Sequence, residues 1–243
     1  MTSPIRIAMW SGPRNISTAM MRSFEARGDC HVVDEPFYAA FLSETGIDHP
    51  MTAETLASQP NDWRDVAREL SQPATDKPFI YEKHMTHHML PGFGLDWMGQ
   101  CRNAFLIRDP ARVLASYTQK REDVTLADIG FVQQAEIFAR EGDRLGHAPP
   151  VVEGVDVLRD PAGTLSKLCA ALGIPWTANM LSWRAGSRAT DGVWAPAWYD
   201  AVERSTGFGP PPEETPLTLA PHLQRIADEA RPHYEALVKW KIS

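Results

Sequence analysis

Five short, largely apolar runs recur along this chain, each bounded by polar or turn residues: Ile5–Trp10, His31–Asp34, Phe79–Glu82, Asn103–Ile107 and Val151–Glu153. They are rich in branched and aromatic side chains, which is the signature of strands covered on both faces. Between them, apolar positions recur every three or four residues. A helix is predicted over Ser17–Arg27, after the first run. Another is predicted over Ala111–Arg121, with Asp109 as N-cap and Pro110 at the first helical position. Leu126–Leu145 reads as one long amphipathic helix. Asp160-Pro161 repeats the cap signature before Ala162–Leu172, which Gly173 ends. Strands alternating with helices predict an α/β fold of three layers. A central, mostly parallel five-stranded sheet would carry helices on both faces.

Two regions break this rhythm. Residues 36–78 form a long excursion between the second and third strands, with one helical patch near Asp62–Leu70, and are expected to act as a lid or an acceptor wall. Residues 183–216 are rich in Trp, Gly and Pro and read as irregular structure wrapped over the body. A last helix over Leu217–Lys239 is expected to kink or split at Pro232. The whole is read as one domain over residues 1–243.

At 243 residues and 43% apolar, the chain has enough material for a proper core. The net charge of −7 sets aside a general nucleic-acid or membrane-surface binder, because phosphate backbones demand excess Lys and Arg. Three unpatterned cysteines suit neither a zinc site nor a disulfide framework. With no long apolar segment and no leader pattern, a cytoplasmic protein is expected, with no nucleic-acid or membrane partner. No motif specifies an oligomeric state.

The densest chemistry lies in Ser11-Gly12-Pro13-Arg14-Asn15-Ile16-Ser17-Thr18, between the first strand and the first helix. Backbone N–H groups at a helix start, with the helix dipole behind them, favour an anion. Arg14 adds charge, and Ser17 and Thr18 add hydroxyl donors. The loop is not a Walker A sequence, since no Lys precedes a Ser or Thr. A second cluster follows the fourth strand. Arg108-Asp109-Pro110 ends the run Phe105–Ile107, and Ser116 falls eight residues after Arg108. Arg108 can present a bidentate fork to a phosphate, with the Ser116 hydroxyl two turns into the helix.

These two clusters together resemble the sulfotransferases that use 3′-phosphoadenosine-5′-phosphosulfate (PAPS). In that family a variant phosphate loop pairs with a strand, then Arg-[Asn/Asp]-Pro, then a Ser at this offset. Ile16 stands where the family usually has Gly. Val155–Pro161 resembles the family's strand-loop-helix after the fifth strand. Arg184-Ala185-Gly186 loosely resembles the C-terminal loop that closes over the nucleotide, making Arg184 and Arg188 candidate 3′-phosphate ligands. The matches run in order from residue 5 to about 200. The resemblance implies a sulfotransferase with PAPS as donor co-substrate, a small-molecule acceptor and no metal. Ser11–Thr18 would hold the 5′-phosphosulfate, and Arg108 and Ser116 the 3′-phosphate.

The base is offered twice. Glu35 follows the second strand and ranks first; His84 follows the third strand in Glu82-Lys83-His84 and ranks second. Lys83 is placed to assist Arg14 at the leaving oxygen, and His87 and His88 read as structural or substrate-facing. Phe37, Tyr38 and Phe41 read first as a core-facing stripe and second as an acceptor wall. Two other function classes stay open. Asp34-Glu35 has the look of a Walker B pair, as in a P-loop kinase or nucleotide hydrolase. A non-catalytic nucleotide- or partner-binding domain is the other.

Overall fold

The computed structural model describes residues 3–72, 75–118, 123–213 and 216–242. In chain order its elements are β1 Ile5–Ser11, α1 Ser17–Glu25, β2 Cys30–Asp34, α2 Tyr38–Thr45, α3 Thr52–Ser58, α4 Trp63–Leu70, β3 Phe79–Met85 and β4 Arg102–Ile107. Then come α5 Pro110–Tyr117, α6 Leu126–Ile129, α7 Phe131–Leu145, β5 Val151–Glu153, α8 Gly154–Arg159, α9 Pro161–Ala171, α10 Ala195–Trp198, α11 Asp200–Glu203 and α12 Pro221–Val238. The strands form one parallel sheet in the order β2-β3-β1-β4-β5. All five expected strands are present, in an α/β fold with helices packed around the sheet.

Strand periodicity divides the core. Ile7 and Met9 of β1 pack on one face with Met20, Phe24 and Leu165, whereas Ala8 and Trp10 pack on the other with Phe105, Val113 and Leu223. Because β1 lies between β3 and β4, chain connections leave it in opposite directions. A crevice therefore opens outside the carboxyl ends of the strands, where ligands bind in open α/β sheets.

Several boundaries differ from the sequence reading, each for a physical reason. Helix α1 stops at Glu25, two residues early. The run 126–145 is two helices, not one. Thr125 and Asp128 form a capping box on α6, and Gly130 takes φ 66° to end it. A Cβ at Gly130 would stand 2.5 Å from Thr86 Oγ1, so the break is also a close approach of two segments. Helix α5 is described to Tyr117; the predicted residues 119–121 lie outside the described residues, as do 73–74 of the excursion and 214–215 of the C-terminal segment. The excursion holds three helices, α2, α3 and α4, where one was expected. The last helix begins at Pro221 and runs unbroken through Pro232. Asp109 does cap α5, its Oδ1 accepting from the N–H of Ala111 at 2.9 Å and of Arg112 at 3.2 Å.

Candidate functional site

A cavity of about 480 Å³ opens at the carboxyl edge of the sheet. Its floor is the loop between β1 and α1, from Pro13 to Ala19. One side is formed by Arg108 after β4 and Ser116 on α5. The other is formed by Glu35, Lys83, His87 and His88 at the ends of β2 and β3. Trp198, Tyr199, Val202, Ser205 and Phe208 of the C-terminal segment close over it.

The floor is shaped for an anion. Helix α1 begins after Ile16 with no side chain capping it, so its first N–H groups face the cavity unclaimed. Arg14 sits at φ 57°, a left-handed conformation costly for a residue with a Cβ. Arg108 holds that conformation by donating from Nη1 to the Arg14 carbonyl, and Arg14 Nε donates to Ser116 Oγ at 3.1 Å. Residues from three elements thus converge on one point. Ile16 itself has φ −87°, so no glycine is required there. Gly12 is required for a different reason: a Cβ would stand 2.8 Å from the Ile129 carbonyl oxygen. Ser11 turns inward, its hydroxyl donating to the Gly12 carbonyl, and neither residue lines the cavity.

Among the described residues no carboxylate pairs with Arg14, Arg108 or Arg112. Asp109, the nearest in sequence, is held by Arg231 at 2.7 Å. Burial lowers the pKa of Arg14; burial and the charges of Arg14 and Arg112 lower that of Arg108. Partly buried like charges without counterions are an unfilled demand for an anion. Arg112, four residues before Ser116 on α5, adds positive charge near Arg108 but does not line the cavity.

Across the cavity sits a buried ion cluster. Lys83 Nζ lies 3.0 Å from Asp34 Oδ1, 2.6 Å from Glu35 Oε1 and 2.6 Å from the Tyr199 hydroxyl. The sequence reading assigns Lys83 to the leaving oxygen; here its three donors are spent on these partners. Glu35 takes φ 42°, fixed by its N–H donating to the Lys83 carbonyl and by Gln59 Nε2 donating to its own carbonyl. Burial raises the pKa of Glu35, against the pull of Lys83. Oε2 of Glu35 faces His88 Nε2 at 3.9 Å. His88 stacks on Tyr38 at 4.6 Å and Phe41 at 4.9 Å, and Tyr38 bonds His49 Nδ1 at 2.8 Å. The aromatic stripe therefore divides: Tyr38 lines the cavity, whereas Phe37 packs on the opposite face of the sheet.

His84 does not share the site. Strand β3 continues to Met85, three residues past its expected end, and alternation along it sends Lys83 and His84 to opposite faces. His84 bonds Glu82 Oε2 at 3.1 Å and stacks on Trp10 at 4.5 Å. Arg184 and Arg188 are also elsewhere. Arg188 pairs with Glu25 at 3.3 Å and donates to the carbonyls of Arg184, Gly186 and Ser187; neither arginine lines the cavity.

The buried histidines make stability sensitive to acid. Burial pushes His87 down to about 3 and lowers His84 and His88. Unfolded, each would take a proton at about pH 6.5. Below that value the unfolded chain binds more protons, so stability falls by about 1.4 kcal/mol per pH unit per histidine until the folded form is protonated. Glu35, with its raised pKa, works in the opposite sense. Urea midpoints should fall steadily from about pH 7 to 5; a flat profile would contradict neutral, buried histidines.

Among the described residues, no helix is long and apolar enough to cross a membrane, and no three His, Cys, Asp or Glu side chains are grouped to hold a metal ion.

The family model described as a sulfotransferase domain matches residues 5–240. Two Arabidopsis thaliana proteins, named branched-chain-amino-acid aminotransferase-like protein 1 and protein 2, are 37% and 34% identical to it over 228 and 231 residues. These matches take in 93% and 95% of this chain but 41% of each relative, so the chain spans about two fifths of the length of the curated relatives it matches. A sulfotransferase from Alicyclobacillus acidocaldarius superposes with a TM-score of 0.56 at 15% identity, covering 100% of this chain and 98% of that one. A sulfotransferase domain from the curacin biosynthetic pathway gives 0.53 at 16%, covering 95% and 99%. At such identities the likeness is one of fold. The family match over nearly the whole chain carries more: this chain belongs to the sulfotransferase domain family.

Proposed function

We propose that this chain transfers a sulfuryl group from PAPS to a hydroxyl or amine of a small molecule. One observation carries the reading: two guanidiniums with no carboxylate partner among the described residues and an uncapped helix start meet on one wall of a cavity whose other wall presents a buried carboxylate. The loop Pro13–Thr18 would hold the 5′-phosphosulfate; Arg108 and Ser116 would hold the 3′-phosphate. The acceptor's oxygen or nitrogen attacks sulfur as the bond from sulfur to the 5′-phosphate oxygen breaks. Glu35 takes the acceptor's proton, and Arg14 neutralises charge growing on the departing phosphate. Adenosine 3′,5′-bisphosphate leaves. Tyr38, His49, His88 and Trp198 would surround the acceptor.

A magnesium-dependent phosphotransferase is poorly supported. Its second acidic group would be Asp34, yet that carboxylate already accepts from Lys83, from Tyr199 at 2.7 and 2.9 Å, and from the Gly192 N–H at 3.0 Å.

Binding separates the readings. Adenosine 3′,5′-bisphosphate at a hundred times its Kd should stabilise the protein by about 2.7 kcal/mol in a thermal-shift assay. Magnesium-ATP should do far less at the same concentration. Arg108→Ala is expected to weaken the bisphosphate roughly ten- to a hundredfold more than AMP, since a charge-assisted contact is worth about 1.5–3 kcal/mol; the loss common to both reports the Arg14 turn that Arg108 supports. Equal losses for both nucleotides would remove Arg108 from the 3′-phosphate. Binding without any turnover would favour the non-catalytic reading.

A further inference from the structure

Two carboxylates compete for one ammonium beneath this cavity. Lys83 has three N–H donors and three acceptors: Asp34, Glu35 and the Tyr199 hydroxyl. How its charge divides depends on what else each carboxylate holds. Asp34 accepts the Tyr199 hydroxyl proton, with its two oxygens 2.9 and 2.7 Å away, and the Gly192 N–H at 3.0 Å. Among the described residues the Glu35 carboxylate accepts a hydrogen bond from Lys83; the Tyr199 hydroxyl beside that ammonium also acts to lower the pKa of Glu35, and His88 stands at 3.9 Å, beyond hydrogen-bond range. Tyr199 is oriented by its neighbours. Its oxygen accepts from Lys83 and lies 3.2 Å from Trp194 Nε1, so its single proton is directed at Asp34. Lys83 and Tyr199 are 1% and 4% exposed, so bulk water is shut out from the place of the hydroxyl.

We propose that Tyr199 is a positioning residue that satisfies Asp34 and thereby commits the Lys83 ammonium to Glu35. The functional meaning rests on the reading of Glu35 as the base; the charge partition does not. Without the hydroxyl, Asp34 would be a buried carboxylate short of a donor, and the ammonium would move toward it and away from Glu35. Tyr199 belongs to the segment that walls the cavity, and Gly192 of that segment grips the same carboxylate. Docking of this segment and the proton affinity of Glu35 are then one linked equilibrium. The groups bearing on Glu35 are Lys83 from β3, Asp34 from β2, Tyr199 from the C-terminal segment, and His88 after β3, with His87 and His49 beyond it.

The test is a titration of Glu35 itself, with no donor or acceptor present. Glutamate side-chain carboxyls are labelled with carbon-13, and the Glu35 signal is identified by its absence in Glu35→Gln. Tyr199→Phe keeps the ring that lies over Lys83 and removes only the hydroxyl. Its Glu35 midpoint should rise by about one pH unit, a tenfold change in proton affinity. Asp34→Asn removes the competing charge, and there the midpoint should fall by about as much. A loosened structure would move both variants the same way. Equal directions, or an unmoved midpoint in Tyr199→Phe, would overturn the proposal. Should that variant not fold, a midpoint in Asp34→Asn that fails to fall would overturn it alone. If the titrations diverge as expected while adenosine 3′,5′-bisphosphate does not bind the unaltered protein, the partition stands and the sulfotransferase reading fails.

Discussion

Glu35→Gln is expected to lower kcat for sulfuryl transfer by about 10²–10⁴, the range a positioned general base contributes. The substitution keeps the size of the side chain and an oxygen for Lys83 to bond at its present 2.6 Å. What it removes is the ability to accept a proton. Burial raises the pKa of Glu35 against the pull of Lys83, which makes its carboxylate a stronger base than a solvated one. The wall that carries Arg14 and Arg108 lies across the cavity, so KM for the donor should stay within about twofold. The acid limb of the kcat profile should vanish with the carboxylate. Single-turnover transfer from radiolabelled PAPS to a panel of hydroxyl and amine compounds reads all three quantities. A fall of less than about tenfold, or an acid limb that survives, would take the base away from Glu35. His84→Gln is the control: lying across the sheet, it should cost stability and leave the acid limb in place.

Lys83→Met should destabilise the protein by about 3–5 kcal/mol near pH 7.5, the usual loss when one partner of a buried ion pair is removed. Methionine fills most of the same volume, so the effect is electrostatic rather than a cavity. The side chains of Lys83, Asp34 and Glu35 are only 1%, 2% and 12% exposed. Without the ammonium, two adjacent carboxylates would face each other in a poorly solvated place. One of them must then take up a proton, a response that is easier in acid. The loss should therefore shrink as pH falls toward about 5, and adding Asp34→Asn should restore part of it. Urea unfolding at the two pH values measures this. A loss below about 1 kcal/mol at pH 7.5 would mean that the cluster is far better hydrated than its burial indicates.

Much of this site could be read along the chain because it depends on local order. Pro13–Thr18 joins a strand to a helix, so its backbone donors are bound to point outward at the sheet edge. Asp109-Pro110 starts a helix by capping chemistry, which places Arg108 at a strand end and Ser116 two turns on. Neither inference needs knowledge of what packs nearby. The assignments the structure moves elsewhere depend on partners distant in sequence. Lys83 is an available cation only until Tyr199, 116 residues later, is brought beside it. Arg188 reads as a free phosphate ligand until Glu25 is found against it. His84 turns on a single strand boundary, because an extension of β3 to Met85 fixes its facing by alternation.

The order of hydrophobic and polar residues by itself determined a parallel α/β sheet and the positive loop at its carboxyl edge. Periodicity, capping and helix-start donors are properties of neighbouring residues, and they survive whatever the rest of the chain does. Only the tertiary structure decided which charges remain free to meet a ligand. Among the described residues Arg14 and Arg108 are left without carboxylates, whereas Lys83, Asp34 and Arg188 are each claimed by partners far along the chain and His84 is turned to the opposite face of the sheet. An ion's chemistry depends on what neutralises it and how well water reaches it, and both are set by packing rather than by sequence order.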